Sequence, residues 1–204
     1  MHDWTLPPKD GSKWWEPGHP WLHESTGNNA MAWLGSVEQL TTAARKVRDE
    51  TKAHLDDGTE LVPAINSVAA MLTGYAIECA LKGLWVRAGR KIIEGGEFVG
   101  IPNAGDHKLA QIARTVSAVV HLPLTGEELA VLKRLSAFVE FAGRYPVPKR
   151  AESMAMTEGF DGGKQVPHVF TPADFQVADR LLNAFTTALN PHFNMFRLAR
   201  DAKC

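Results

Sequence analysis

One nearly continuous apolar stretch, from Val62 to Arg87, constrains the fold of this chain more than any other feature. It reads VPAINSVAAMLTGYAIECALKGLWVR, which predicts a helix that is apolar on most of its sides. Such a helix belongs at the centre of a bundle, where neighbouring helices cover it. One acid, Glu78, and one base, Lys82, stand near its middle. Charges in an apolar interior are unfavourable unless they pair, so these two residues are the first polar feature to explain.

The rest of the sequence is typical of a single globular domain. The chain has 204 residues, of which 45% are hydrophobic and 22% charged. A chain of this length buries enough surface to fold without disulfides or metals. We predict an all-α fold, a five-helix up-and-down bundle formed by residues 28–204. An extended arm rich in tryptophan and proline, residues 1–27, precedes the bundle, and a long loop insert, residues 144–170, precedes its last helix.

The five helices follow from apolar spacing and from residues that are typical of helix ends. The fourth helix opens with a capping box, in which Thr125 and Glu128 satisfy each other's backbone N–H groups. The fifth opens with Thr171 as its cap and Pro172 in its first turn. The predicted helices begin near Asn28 or Asn29, Leu61, Asp106, Thr125 and Thr171, and they end near Asp56, at Ala88, before Pro123, at Gly143 and near Pro191.

Charge and motif content exclude several classes of protein. The net charge of −1 argues against a strongly basic nucleic-acid-binding surface. The first residues lack the apolar core of a signal peptide, and apolar runs are too short to span a bilayer, so we expect a cytoplasmic protein without a membrane partner. Cys79 and Cys204 are not expected to form a disulfide. Glycine-rich phosphate loops, dinucleotide fingerprints and metal-ligand spacings are absent, so we expect neither cofactor nor metal.

Glu78, Lys82 and His107 are the first candidate site residues. Glu78 and Lys82 lie one helical turn apart with the acid first, the order that favours an ion pair. The pair either fixes the register of packed helices or marks a polar pocket between them. His107 lies at the expected start of the third helix, where a neutral ring can help to satisfy free N–H groups.

Arg144 and Tyr145 are the second group of candidates, at the expected end of the fourth helix. The arginine either caps that helix or binds a core carboxylate, for which Glu140 and Glu78 are available. A third interpretation is an anion or phosphate site, because a guanidinium binds such groups through two parallel hydrogen bonds. The three interpretations stay open at this stage.

Three segments resemble the HEPN superfamily, small helical domains named for higher eukaryotes and prokaryotes nucleotide-binding. The segment GYAIECALK, residues 74–82, is similar to the second helix of that family. The segment DHKL, residues 106–109, resembles the His-x-Leu opening of the helix that follows. The segment RYP, residues 144–146, resembles an Arg-Tyr-Pro found at the end of the fourth helix in many members. The order and spacing of the three segments carry the resemblance, which covers roughly residues 60–190.

The resemblance implies an up-and-down helical bundle that forms a homodimer. Many members are endoribonucleases of toxin–antitoxin or phage-defence systems, and others bind nucleotides, RNA or a protein partner without catalysis. Active members carry an Arg, four to six residues and then a His near the start of the last core helix. In this chain Arg180 lies in that region without such a His. Arg114 and His121 have the right spacing, with six residues between them, but they lie at the end of the third helix.

The leading hypothesis is therefore a dimeric HEPN-like binding or interaction protein. Its polar centre would combine Glu78, Lys82, His107, Arg144 and Tyr145 and would contact an anionic ligand such as a nucleotide or RNA. A first alternative is a metal-independent endoribonuclease that uses Arg114 and His121 as its catalytic pair. A second alternative is a helical assembly module without any ligand.

Overall fold

The computed structural model describes residues 9, 12–13, 16, 18–56, 62–143, 157–158, 164–165 and 169–190. These ranges form six α-helices, one π-helical turn and two small hairpins, so the predicted all-α fold is confirmed. The helices are α1 (Pro20–Gly27), α2 (Ala30–Asp56), α3 (Val62–Arg87), α4 (Leu109–Val120), α5 (Gly126–Ala137) and α6 (Pro172–Leu189), and the strands are β1 (Ile93–Glu94), β2 (Glu97–Phe98), β3 (Thr157–Glu158) and β4 (Lys164–Gln165). Within these ranges, none of the helices combines the length and hydropathy needed to cross a membrane.

Helix α3 is the centre of the fold, as its apolar sequence predicts. It packs along α2 and also against α4, α5, α6 and the π-helical turn. Small residues such as Ala69, Ala76 and Ala80 are fully buried and allow close approach of neighbouring helices, while Ile77 and Leu81 fill the space between them. Because helices surround α3 on several sides, polar side chains near its middle are shielded from water.

The N-terminal region departs from the sequence prediction, because residues 20–27 form helix α1 instead of extended chain. Pro20 occupies the first helical position, where a missing N–H is harmless, and the His19 ring accepts a hydrogen bond from the backbone N–H of Trp21. The expectation of an extended segment was wrong here because proline breaks a helix in its interior but not at its start. Helix α1 adds a sixth helix to the five predicted.

Helix α4 begins at Leu109, two residues later than an N-cap at Asp106 predicts. His107 has a left-handed backbone (φ 65°), which a helix cannot include, so Asp106 does not act as the N-cap. Lys108 occupies the cap position without a side-chain cap. The N–H of Leu109 is satisfied from another helix instead, by the hydroxyl of Ser136 in α5 at 3.0 Å.

The capping box predicted for α5 and the Thr171 cap predicted for α6 are both present. Thr125 and Glu128 cap α5, and Thr171 and Asp174 cap α6 in the same way. The end of α5 passes into a π-helical turn, Phe138–Ala142, and the helical segment stops at Gly143 as predicted.

The insert between α5 and α6 contains a small antiparallel hairpin, in which β3 pairs with β4. The rest of residues 144–168 lies outside the described ranges. Helix α6 ends at Leu189, close to the end predicted near Pro191. The alternative of a kink followed by a short last helical piece lies outside the described ranges, as do most of residues 1–17.

Candidate functional site

Glu78 and Lys82 form the ion pair that their spacing predicts. The Lys82 Nζ donates a hydrogen bond to Glu78 Oε1 at 2.6 Å. The side chains are 5% and 14% exposed, so the pair is shielded from solvent. A carboxylate in this setting is stable only when both of its oxygens accept hydrogen bonds. The second oxygen, Oε2, therefore also needs a donor.

His107 contacts that second oxygen of Glu78. Its Nδ1 lies 2.9 Å from Glu78 Oε2, and its ring packs edge-on against Tyr75 with a centroid distance of 5.7 Å. An ionised carboxylate only accepts hydrogen bonds, so Nδ1 must donate, and Nε2 is the ring nitrogen that the carboxylate does not engage. The side chain is 37% exposed, and Nε2 has no hydrogen-bond partner among the described residues. The arrangement therefore presents one ring nitrogen to solvent from a fixed position.

The backbone at His107 is strained where the ring meets the carboxylate. A left-handed φ of 65° in a residue that is not glycine is unfavourable by roughly 1–2 kcal/mol. Such strain persists only where surrounding contacts hold it, and it is concentrated at functional positions. The strained turn ends the loop before α4 and brings the ring onto Glu78, 29 residues earlier in the chain.

Aromatic rings surround the other member of the pair. The Lys82 Nζ lies over the rings of Trp33 and Phe98, 5.7 and 5.1 Å from their centroids. Trp33 is fixed by its own hydrogen bond, from Nε1 to the carbonyl of Gly27 at 2.7 Å. Cation–π attraction therefore adds to the ion pair in holding the ammonium group in place.

Asn28 fixes the hairpin that carries Phe98. Its Oδ1 accepts hydrogen bonds from the N–H groups of Ile92 and Ile93, and its Nδ2 donates to the carbonyl of Ile93 at 2.8 Å. The side chain thereby behaves as a short strand paired with β1. The sequence predicts that either Asn28 or Asn29 caps the next helix, and Asn29 takes that role by accepting the N–H of Met31.

A second ion pair, which the sequence pattern did not indicate, joins α5 to α6. Arg134 Nη2 donates to Asp174 Oδ1, and the two side chains are 13% and 7% exposed. The other carboxylate oxygen of Asp174 caps α6 by accepting the N–H and hydroxyl of Thr171. The acid three residues after Thr171 was a visible sign of the cap, but nothing local identified its partner in α5.

The two residues of the proposed ribonuclease pair are not joined in the structure. Arg114 lies within α4, and His121 follows its last residue with a left-handed φ of 56°. Seven positions of helix separate them by about 10 Å along the axis. Both side chains are exposed, and they make no hydrogen bond or ion pair with the described part of the chain.

Arg144 and Tyr145 lie outside the described residues, so their predicted place in the polar centre is untested. Each of the two carboxylates suggested as partners for Arg144 has a partner among the described residues. Glu140 pairs with Lys108 at 2.7 Å, and both oxygens of Glu78 are used by Lys82 and His107.

Cys79 lies beside this charged cluster, and burial raises the pKa of its thiol from 9.0 to about 11. The negative charge of Glu78 also raises it, and the positive charge of Lys82 lowers it. We expect a Cys204→Ser variant to react with iodoacetamide at pH 8 at least 100-fold more slowly when folded than in urea. The reason is that the thiolate fraction falls from about one in ten to about one in a thousand.

The same shift predicts how stability depends on pH. Because the unfolded thiol ionises first, its contribution is fully present below pH 9 and is lost between pH 9 and 11, by up to about 2.7 kcal/mol. Urea unfolding of the Cys204→Ser variant at pH 8 and 11, compared with a Cys79→Ala/Cys204→Ser control, measures this loss. Equal alkylation rates in the folded and unfolded protein would contradict the buried placement of Cys79.

The described residues thus form one partly accessible polar centre, Glu78, Lys82 and His107, with Tyr75 and Phe98 as its aromatic neighbours. Among these residues, groups of three or more histidine, cysteine or acidic side chains suited to a metal ion are absent. His107 can supply a hydrogen bond and a charge at this centre, and the buried Glu78 carboxylate supports it.

Comparison with known proteins finds no matching family model, no matching curated protein and no matching solved structure.

Proposed function

We propose that this protein is a HEPN-like helical binding protein, dimeric and cytoplasmic, that associates with a nucleotide or RNA in a toxin–antitoxin or phage-defence setting. An anionic group of that ligand would bind at the polar centre, against Nε2 of His107. The proposal draws its family and its ligand class from the resemblance of residues 74–82, 106–109 and 144–146. It draws its site from the geometry around Glu78.

One observation carries the proposal: the ring of His107 is held by a buried carboxylate while its second nitrogen has no partner among the described residues. A histidine needed only for packing would gain nothing from a left-handed backbone and a solvent-accessible nitrogen. When protonated, the same nitrogen donates a charge-assisted hydrogen bond, the type that phosphate oxygens accept.

Binding is favoured over cleavage by the arrangement of the other candidates. A metal-independent nuclease must bring its acid–base groups to one phosphate. Arg114 and His121 lie two helical turns apart and are not joined by a hydrogen bond to each other. Ribonuclease activity therefore stays an outcome of the experiment, and it is not part of the proposal.

The two histidines at the ends of α4 provide a matched test. Both have left-handed backbones, which asparagine tolerates, so His107→Asn and His121→Asn are comparable substitutions. We expect wild type and His121→Asn to bind labelled single-stranded RNA or AMP equally well. His107→Asn should bind at least roughly tenfold more weakly, because a charge-assisted hydrogen bond is lost.

The assay is fluorescence anisotropy without magnesium, with thermal unfolding to confirm that each variant is folded. If wild type binds neither RNA nor AMP, the polar centre is structural and the proposal fails. Equal affinity of His107→Asn and wild type would place binding elsewhere and also contradict it. Cleavage of the RNA that is lost only in His121→Asn would favour the endoribonuclease.

A further inference from the structure

Phe98 is a large apolar side chain that stays 47% exposed although it belongs to a firmly anchored hairpin. Asn28 fixes the hairpin at β1, and His23 Nδ1 contacts the carbonyl of Gly96 in its turn at 3.0 Å. The ring of Phe98 is therefore held in position although much of it is open to solvent.

The ring also has an electrostatic environment of its own. The Lys82 ammonium lies over it at 5.1 Å, and Glu78 neutralises that ammonium from the other side. A cation bound to an aromatic ring draws electron density towards itself. The exposed part of such a ring is a poor site for a second cation and a good site for a flat, electron-rich ring that stacks in an offset arrangement.

Phe98 and His107 are connected to opposite members of the same ion pair. Phe98 contacts Lys82, and His107 contacts Glu78, so the buried pair fixes both rings relative to each other. Both rings are partly exposed. A ligand that combines a flat heteroaromatic ring with an anionic group carries the two chemical features that these residues recognise.

We propose that Phe98 is the stacking platform for the base of a nucleoside monophosphate unit whose phosphate contacts His107. This inference rests on the proposed function and specifies how that site distinguishes its ligands. Stacking on an aromatic side chain tolerates different bases, because every base has a flat π face. Phe98 therefore selects for the presence of a base and not for its identity.

Two carboxylates favour a ligand with few charges. Glu97 precedes Phe98 and Asp106 precedes His107 in the chain, and both are exposed. They repel additional phosphates, whereas the one phosphate group of a monophosphate is met by His107. The site should therefore bind AMP at least as tightly as ATP at physiological salt.

The test compares AMP with ribose 5-phosphate, which keeps the anion and lacks the base. Phe98→Ala and Phe98→Leu remove the aromatic face, and the second keeps an apolar side chain of similar size. We expect both to weaken AMP binding roughly five- to 150-fold and to leave ribose 5-phosphate binding unchanged. Phe98→Trp should bind AMP as tightly as wild type or more tightly, with quenching of the new tryptophan fluorescence.

Val99 supplies the matched control, since it is the next residue and is also exposed. Val99→Ala should leave AMP binding unchanged. If Phe98→Ala and Phe98→Leu bind AMP like wild type while His107→Asn does not, the stacking platform is wrong and the proposed function survives. An equal loss of AMP affinity in Val99→Ala would also overturn the stacking platform, because it would indicate non-specific contact between AMP and the apolar side chains of the hairpin. If wild type does not bind AMP, both the stacking platform and the proposed function are contradicted.

Discussion

Glu78→Gln is expected to destabilise the protein by about 3–5 kcal/mol, because it leaves the Lys82 ammonium in a shielded site without its counter-charge. Glutamine keeps the shape of the side chain, so the loss of stability results from the missing charge and not from altered packing. For a chain of this size, such a change lowers the midpoint of thermal unfolding by roughly 6–20 °C. Urea unfolding followed by circular dichroism gives the free energy directly.

A double-mutant cycle separates the ion pair from its surroundings. Lys82→Met should also be destabilising, since it leaves the Glu78 carboxylate with His107 as its remaining partner in the cluster. The double variant Glu78→Gln/Lys82→Met should recover much of the loss, because neither charge is then left unpaired. Glu127→Gln is the matched control, since Glu127 pairs with Arg180 at an exposed position where ion pairs contribute little. A destabilisation no greater than that control would contradict the buried pair.

Asp174→Ala is the second substitution for which we expect a large effect, about 3–5 kcal/mol. It removes the Asp174 carboxylate from the partly buried guanidinium of Arg134 and also removes a capping interaction from α6. Glu128→Ala provides the comparison, because Glu128 has the same position in the capping box of α5. That variant should lose only about 1 kcal/mol, the usual size of a capping effect.

The difference between the two alanine variants therefore measures the ion pair between α5 and α6. Arg134→Met/Asp174→Ala should be less destabilised than the sum of its single variants, since the two side chains contact each other. Unfolding in urea with an unchanged m-value would show that the native fold persists. Strict additivity in this cycle would mean that Arg134 and Asp174 do not interact.

Local rules predicted a large part of the fold. The all-apolar pattern of Val62 to Arg87 identified the central helix, and the spacing of Glu78 and Lys82 identified their ion pair. The capping box at Thr125 and the cap at Thr171 were visible because each is complete within four residues. These features depend on residues that are neighbours on one helix, so periodicity and spacing suffice to find them.

The long-range contacts of the site could not be predicted in this way. His107 reaches Glu78 only because the preceding loop ends in a left-handed turn, a conformation uncommon outside glycine that no spacing rule indicates. Phe98 reaches Lys82 through a hairpin that the side chain of Asn28 anchors. In both cases the partner depends on the path of a loop, and apolar periodicity carries no information about that path.

The tautomer of His107 tests the central claim most directly, that a buried carboxylate fixes this ring and leaves one nitrogen accessible. Long-range ¹H–¹⁵N correlation spectra of the protein labelled at histidine nitrogen distinguish the two ring nitrogens. The structure predicts that, in the neutral ring, Nδ1 carries the proton and Nε2 does not, because Glu78 can only accept a hydrogen bond. In the neutral ring, a proton on Nε2 instead of Nδ1, or averaging between the two tautomers, would contradict the polar centre and the functions proposed for it.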